Sequence, residues 1–221
     1  MSTTETKTKP PVDLPTHGDK NPLFVFCHGY YGCGTNCWFP FAHTTVANQD
    51  CDFVSPDCPN PTNPRYQEWK VTLLDSIKRK WNKTQPLILV GHSLGCYTLL
   101  RILIESISDD WAKHVRGFFF VAPVVVPKIL PDSLGLPELE LEKLFELNNI
   151  KYHHLFCTND GALGSKHSEY LRKVLTDGKS DYKCLELPQV PYDSHFGGFK
   201  HYPVKEIDQC LIELIQEIKH E

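Results

Sequence analysis

The sequence lacks the long apolar runs of membrane proteins and the positive charge of nucleic-acid-binding proteins. No stretch approaches the roughly 20 consecutive apolar residues that a membrane-spanning helix needs. The polar start, MSTTETKTKPPVDLPTHGDK, has no apolar core of the kind found in secretory signal peptides. The formal net charge is −4, so the chain lacks the excess of positive charge that binds nucleic acid or an anionic membrane. We therefore expect no membrane insertion and no nucleic-acid partner.

Regular cysteine spacing is also missing. The nine cysteines are odd in number and include no Cys-x-x-Cys pair, so neither a disulfide framework nor a zinc site is indicated. Three of them fall inside apolar stretches predicted as strands, namely Cys27, Cys157 and Cys184. Buried free thiols in a reducing compartment explain this placement best. The sequence therefore predicts a cytoplasmic location and no metal ion.

The composition is that of an ordinary globular chain. Hydrophobic residues make up 41% and charged residues 23% of the 221 positions. A chain of this length normally forms one domain, which we place at residues 22–221. Residues 1–21 are polar and are predicted to form a disordered leader.

A strand, a glycine-bounded turn and a helix follow one another in the middle of the chain. Leu87–Val90 is a continuous apolar run, typical of a strand buried on both faces of a parallel sheet. Gly91–Gly95 matches Gly-x-Ser-x-Gly, and Cys96–Ile104 is apolar nearly all round, as in a buried helix. This order is typical of a nucleophile elbow, whose strained turn lifts a serine hydroxyl above the sheet. We predict Ser93 as a nucleophile, in preference to a serine in an ordinary turn.

Apolar strands and amphipathic helices alternate along the whole chain. The predicted strands cover residues 23–27, 51–54, 87–90, 115–122, 153–157 and 182–187. The predicted helices cover residues 65–81, 96–104, 165–175 and 204–218, with a short amphipathic helix near 139–147. This alternation predicts an α/β fold, a three-layer sandwich with a mostly parallel sheet and helices on both faces.

The glycine-rich loop at residues 28–34 allows two interpretations. A dinucleotide-binding turn would need a third glycine where the sequence has Cys37, so we expect no nucleotide cofactor. The alternative is an oxyanion loop, which directs a backbone N–H towards the nucleophile. With Ser93 as the nucleophile the second interpretation is favoured. The predicted oxyanion donors are the N–H groups of Tyr30 and Leu94.

A serine nucleophile needs a histidine to accept its proton and a carboxylate to orient that histidine. Behind an elbow of this kind the chain order is Ser, then Asp or Glu, then His, and functional groups lie at the carboxyl ends of strands. Asp160 is the first acid after the strand at 153–157, and His195 is the first histidine after the strand at 182–187. The sequence predicts a triad of Ser93, His195 and Asp160. For Asp160 the alternative is a plain turn residue in Asn-Asp-Gly.

Other residues compete for these roles. Asp193 follows the wrong strand for the acid, and His201 directly precedes the last helix, so Asp160 and His195 are favoured. His167 is predicted on a surface helix. Four further residues are predicted around the substrate pocket, namely His28, Tyr31, His92 and Phe196.

These residues resemble the small serine hydrolases of the retinoblastoma-binding-protein-nine and YdeN type, within the α/β-hydrolase superfamily. The resemblance runs from about Leu23 to Ile218, and Cys58–Pro64 is similar to the family's Met-Pro-Asn-Pro segment. It implies an α/β-hydrolase-like fold and triad positions at the three residues already named. Residues 77–85 contain no Leu-x-Cys-x-Glu segment, so retinoblastoma-protein binding is not expected.

Together the residues and the resemblance predict a carboxylesterase-like serine hydrolase without a cofactor. It would act on a small ester, thioester or amide through an acyl-enzyme, because the segment at 123–149 is long enough for a short lid at most. The alternative is a non-catalytic binding protein on the same scaffold, since a fold alone does not settle function. The sequence specifies neither the substrate nor the oligomeric state.

Overall fold

The computed structural model describes residues 21–126, 136–190, 193–198 and 200–220. In these ranges six parallel strands form one sheet in the order β2-β1-β3-β4-β5-β6. The strands are β1 (Leu23–Cys27), β2 (Asp52–Val54), β3 (Leu87–His92), β4 (Val115–Val121), β5 (Lys151–Cys157) and β6 (Asp181–Leu187). The helices are α1 (Phe39–Asn48), α2 (Tyr66–Lys80), α3 (Leu94–Glu105), α4 (Lys166–Asp177) and α5 (Lys205–Lys219). The predicted three-layer α/β architecture is confirmed.

The two faces of the sheet carry separate cores because side chains alternate along each strand. In β1, Leu23 and Val25 face a cluster that includes residues of α2, α3 and α4. Phe24 and Phe26 face the other cluster, which includes residues of α1 and α5. The strand β1 is completely buried, which explains its continuous apolar run. Helices therefore cover both faces of the sheet.

The edge strand β6 differs from the buried strand that the sequence predicts. Among the described residues it pairs with β5 alone, and its residues are exposed or half-buried throughout. Cys184 is exposed, so the expectation of a buried thiol at this position is wrong. An edge strand has one neighbouring strand, so less of its surface is buried. The mixture of polar and apolar residues in β6 agrees with this position. All nine cysteines are nevertheless free thiols.

Two helical segments depart from the prediction. The helix α1 was not predicted, because Thr44, Thr45 and Val46 are β-branched and weaken its helical signal. Packing of Phe39, Ala42 and Val46 in the core stabilises it. The amphipathic helix expected near residues 139–147 is a short 3-10 helix, Leu141–Glu146, that buries Leu141 and Leu144.

Two predictions fall wholly or partly outside the described residues. The leader prediction concerns residues 1–21, of which 1–20 lie outside. The lid prediction concerns residues 123–149, of which 127–135 lie outside. The described parts of that segment bury Val124, Val125 and Leu139 in the core. Within the described ranges, no helix combines the length and apolar character that crossing a membrane requires.

Candidate active site

Ser93 sits between β3 and α3 in a backbone conformation that few side chains adopt. Its φ is +53° and its ψ is −120°, a strained combination for a residue with a Cβ. A Cβ on Gly91 would lie 2.6 Å from Cys96 Cα, and one on Gly95 would lie 2.1 Å from the carbonyl oxygen of Cys27. Both distances are too short for a carbon atom, so glycine is required on either side of the serine. This geometry is typical of a nucleophile elbow.

Backbone hydrogen bonds on both sides hold the strained turn in place. The N–H of Ser93 donates to the carbonyl of Val121, 3.0 Å away at the end of β4. The carbonyl of Ser93 accepts from the N–H groups of Cys96 and Val124, at 3.0 and 3.1 Å. The turn is therefore fixed by the neighbouring strand and by the segment that follows it.

Ser93, His195 and Asp160 form one chain of hydrogen bonds. His195 Nδ1 lies 2.7 Å from Asp160 Oδ2, and His195 Nε2 lies 2.8 Å from Ser93 Oγ. Because the carboxylate can only accept, Nδ1 carries the ring proton and Nε2 is free to accept from the serine hydroxyl. The three residues come from the carboxyl ends of β3, β5 and β6, which the parallel sheet brings to one edge. The arrangement can transfer the serine proton to the imidazole.

Asp160 is held rigidly behind the histidine. Its side chain is only 3% exposed, and its Oδ1 accepts the N–H groups of Ala162 and Leu163 at 2.8 and 2.9 Å. Burial raises the pKa of Asp160, but the hydrogen bond from His195 and the two backbone N–H groups outweigh it, so the pKa lies below its usual range. The carboxyl group therefore stays ionised at neutral pH.

The loop that carries His195 is tied to its surroundings at several points. Asp193 Oδ1 accepts the N–H of His195 at 2.9 Å, so this alternative acid supports the loop and not the imidazole ring. Ser194 Oγ accepts the N–H of Gly161 at 3.1 Å and thereby links the loop to the residues after Asp160. The alternative base, His201, is exposed to solvent.

The glycine-rich loop lies directly against Ser93. A Cβ on Gly29 would lie 2.9 Å from Ser93 Cβ, so glycine allows this close approach. The N–H groups of Tyr31 and Gly32 donate to the carbonyls of Pro61 and Gly29. In the described part of the chain the N–H of Tyr30 has no such acceptor.

His28 stabilises the glycine-rich loop from its buried side. The N–H of Cys58 donates to His28 Nε2 at 2.9 Å, so His28 Nδ1 carries the proton and donates to the carbonyl of Gly29 at 2.9 Å. The ring is 1% exposed and packs against Trp69. It therefore supports the loop and does not reach the open surface of the site.

The tyrosines of the glycine-rich loop and Phe196 lie in different surroundings. Tyr30 and Tyr31 are exposed and meet edge to face with ring centroids 4.3 Å apart. Phe196 is completely buried in the core on the α1 and α5 side. Its expected position on the pocket wall is thus wrong, because the side chain is fully buried in this core cluster.

Two histidines have roles that the sequence did not indicate. His167 is 1% exposed, not on a solvent-facing surface, and its Nδ1 accepts the N–H groups of Val125 and Val126 at 3.2 and 3.0 Å. Burial lowers its pKa to about 4, so the ring is neutral. His92, next to Ser93, is also buried, and its Nε2 lies 2.8 Å from the carbonyl oxygen of His195. Neither long-range contact leaves a local pattern in the sequence.

A narrow cleft lies beside Leu94, the residue after Ser93. It is lined by Pro64, Tyr66, Trp69, Leu94, Tyr97, Thr98 and Leu136, and its cavity volume is about 10 Å³, the space of roughly one water molecule. Leu94 is the first residue of α3, where a backbone N–H has no acceptor within the helix. Among the described residues, no three His, Cys, Asp or Glu side chains converge as a metal site would require.

Comparison with known proteins assigns the family. Residues 24–169 match the family model described as serine hydrolase. The protein YdeN of Bacillus subtilis (strain 168) is 36% identical over 182 residues, which cover 80% of this chain and 88% of YdeN.

Solved structures agree on the fold. The structure of the B. subtilis ydeN gene product has a TM-score of 0.63 and 19% identity over the superposed residues, and the match covers 89% of this chain and 100% of that one. Esterase B from Lactobacillus rhamnosis has a TM-score of 0.65 and 15% identity, with coverage of 93% and 77%. Est1E from Butyrivibrio proteoclasticus has a TM-score of 0.67 and 12% identity, with coverage of 92% and 90%. The fold is that of the α/β-hydrolases, and the chain belongs to the serine hydrolase family as a YdeN-like small member.

Proposed function

We propose that this hydrolase cleaves a small ester, thioester or amide through a Ser93–His195–Asp160 triad and an acyl-enzyme intermediate. The observation that carries the proposal is the continuous hydrogen-bond chain, with distances of 2.8 Å from Ser93 to His195 and 2.7 Å from His195 to Asp160. A non-catalytic binding protein would be favoured by a histidine that could not reach Ser93. The short distance supports catalysis instead.

Each residue of the chain takes one step of the reaction. Ser93 Oγ attacks the substrate carbonyl carbon while its proton passes to His195 Nε2. His195 then gives that proton to the leaving alcohol, thiol or amine, and the acyl group stays on Ser93. A water molecule, deprotonated by His195, attacks the acyl-enzyme and releases the acid. Throughout, Asp160 fixes the tautomer and stabilises the imidazolium.

Two backbone N–H groups would stabilise the negative oxygen of the tetrahedral intermediate. One is that of Leu94 at the start of α3, where the helix dipole also favours negative charge. The other is that of Tyr30, which directly follows Gly29, the residue that approaches the Ser93 Cβ. The engaged N–H groups of Tyr31 and Gly32 are unsuited to this role.

The surroundings favour a small apolar acyl group. The side chains that line the cleft beside Leu94 are mostly apolar, and its volume of about 10 Å³ leaves room for only a small group. The exposed ring pair of Tyr30 and Tyr31 offers an apolar surface to the other end of the substrate. Among structures of similar fold, that of esterase B involves a tributyrin phosphonate and one of Est1E contains ferulic acid, which supports an ester substrate.

The test is labelling with a fluorophosphonate probe, followed by hydrolysis of p-nitrophenyl acetate. We expect native wild type to be labelled and active, and Ser93→Ala and heat-denatured wild type to be neither. The matched control is Ser108→Ala, which changes an exposed serine and should behave as wild type. A folded wild type that resists the probe would overturn the proposal and favour a binding protein.

A further inference from the structure

His92 is in contact with the residue that would act as the base. It is the last residue of β3 and directly precedes Ser93. Its side chain is only 6% exposed, and its ring centroid lies 5.2 Å from that of His195. Its Nε2 lies 2.8 Å from the backbone carbonyl oxygen of His195, 103 residues further along the chain.

The partner atom determines where the proton of His92 sits. A carbonyl oxygen can only accept, so His92 Nε2 carries the hydrogen and donates it. The ring stays neutral because burial, with the nearby His195, lowers its pKa to about 3. A neutral ring with a fixed tautomer makes a permanent hydrogen bond but cannot serve as an acid or base at neutral pH.

The bond supports the His195 loop at a point that its other contacts do not reach. The contacts from Asp193 to the backbone of His195 and Phe196 are local, and the contact from Ser194 reaches only Gly161. Cys37 Sγ donates to the carbonyl of Gly198, three residues beyond His195. His92 instead joins the main chain of His195 to the strand that carries the nucleophile. Consecutive residues, His92 and Ser93, thus hold the same histidine at its carbonyl and at its ring.

We infer that His92 is a positioning residue, which holds the His195 backbone at the distance where the imidazole can take the proton of Ser93. The inference rests on the proposed function for its catalytic consequence. Loss of the donor would let the loop move by a fraction of an ångström, and misplacement of about 1 Å can cost about 10²-fold in rate. The expected effect is on kcat, because the buried His92 ring is bonded to the backbone of the base.

A matched pair of variants separates the hydrogen bond from packing. In His92→Gln the amide nitrogen takes the place of the ring Nε2 and can donate. In His92→Met a methyl group of similar reach takes that place and cannot. We expect His92→Met to lower kcat about 10- to 100-fold with little change in KM, and His92→Gln to stay within about five-fold of wild type.

Melting curves show whether the variants fold. If His92→Met does not fold, His92→Asn replaces it, because its amide ends one bond short of the carbonyl and should lose kcat in the same way. Equal losses in the donor and non-donor variants would overturn the inference, as would full activity in both.

A second readout keeps this inference distinct from the proposed function. The low-field proton signal of the His195–Asp160 hydrogen bond should shift or broaden in His92→Met and persist in His92→Gln. If the two variants differ in this way but wild type does not react with the fluorophosphonate probe, the positioning role is retained and the proposed function is rejected. An unchanged signal in both variants would reject the positioning role, even if wild type proves active.

Discussion

Replacement of Asp160 by asparagine tests the tautomer on which the proposed mechanism depends. The Oδ1 atom of Asp160 accepts two backbone N–H groups, those of Ala162 and Leu163. In Asp160→Asn the amide oxygen must keep this position, because an NH2 group there would face two donors. The amide NH2 then faces His195 Nδ1 and donates to it. The imidazole proton would consequently move to Nε2.

The magnitude follows from this change of tautomer. With a proton on Nε2, His195 can no longer accept from the Ser93 hydroxyl, although the geometry of the site is retained. In a comparable triad the same substitution lowers kcat by about four orders of magnitude. This corresponds to about 5.5 kcal/mol in the activation barrier. We expect a similar loss in kcat and a melting curve close to that of wild type.

The assay is steady-state hydrolysis of p-nitrophenyl acetate near pH 8, with the melting temperature measured on the same samples. The matched control is Asp177→Asn, which makes the same chemical change at an exposed position at the end of α4. A value of kcat/KM within about ten-fold of wild type for folded Asp160→Asn would refute the tautomer argument. The acid of the triad would then have to be sought elsewhere.

Two further predictions concern stability. Burial lowers the pKa of His43 to about 4 in the folded chain, so the unfolded chain binds more protons below pH 6.5 and stability falls by about 2 kcal/mol at pH 5. His43→Phe should abolish that part of the loss, and it also removes an Nε2 that has no partner in the described structure. The control His201→Gln changes an exposed histidine and should leave the loss in place. Urea midpoints measured at pH 7 and pH 5 that change equally in both variants would contradict this prediction. Gly95→Ala should cost about 1–3 kcal/mol or more, because its Cβ would meet backbone oxygen at 2.1 Å. Gly161→Ala, whose nearest neighbour would be 3.7 Å away, should cost little, and equal urea midpoints for the two alanine variants would refute the elbow packing.

Much of the fold could be predicted because its signals are local. Strands buried on both faces are continuous apolar runs, and β1 occupies the predicted residues Leu23–Cys27. The elbow is also local, since strand, glycines, serine and helix are contiguous. The helix α1 lacked such a signal, because packing of Phe39 and Val46 in the core outweighs its weak helical propensity.

The sequence by itself therefore determined the strand order along the chain, the elbow at Ser93 and the short set of candidates for its partners. Only the tertiary structure decided which candidates meet, because Ser93, Asp160 and His195 come from three separate strand ends. It also decided what lies beneath the site. The burial of Phe196 and the hydrogen bond from His92 to His195 both depend on how a loop folds back on a sheet. Contacts over such separations depend on packing, which no local pattern encodes.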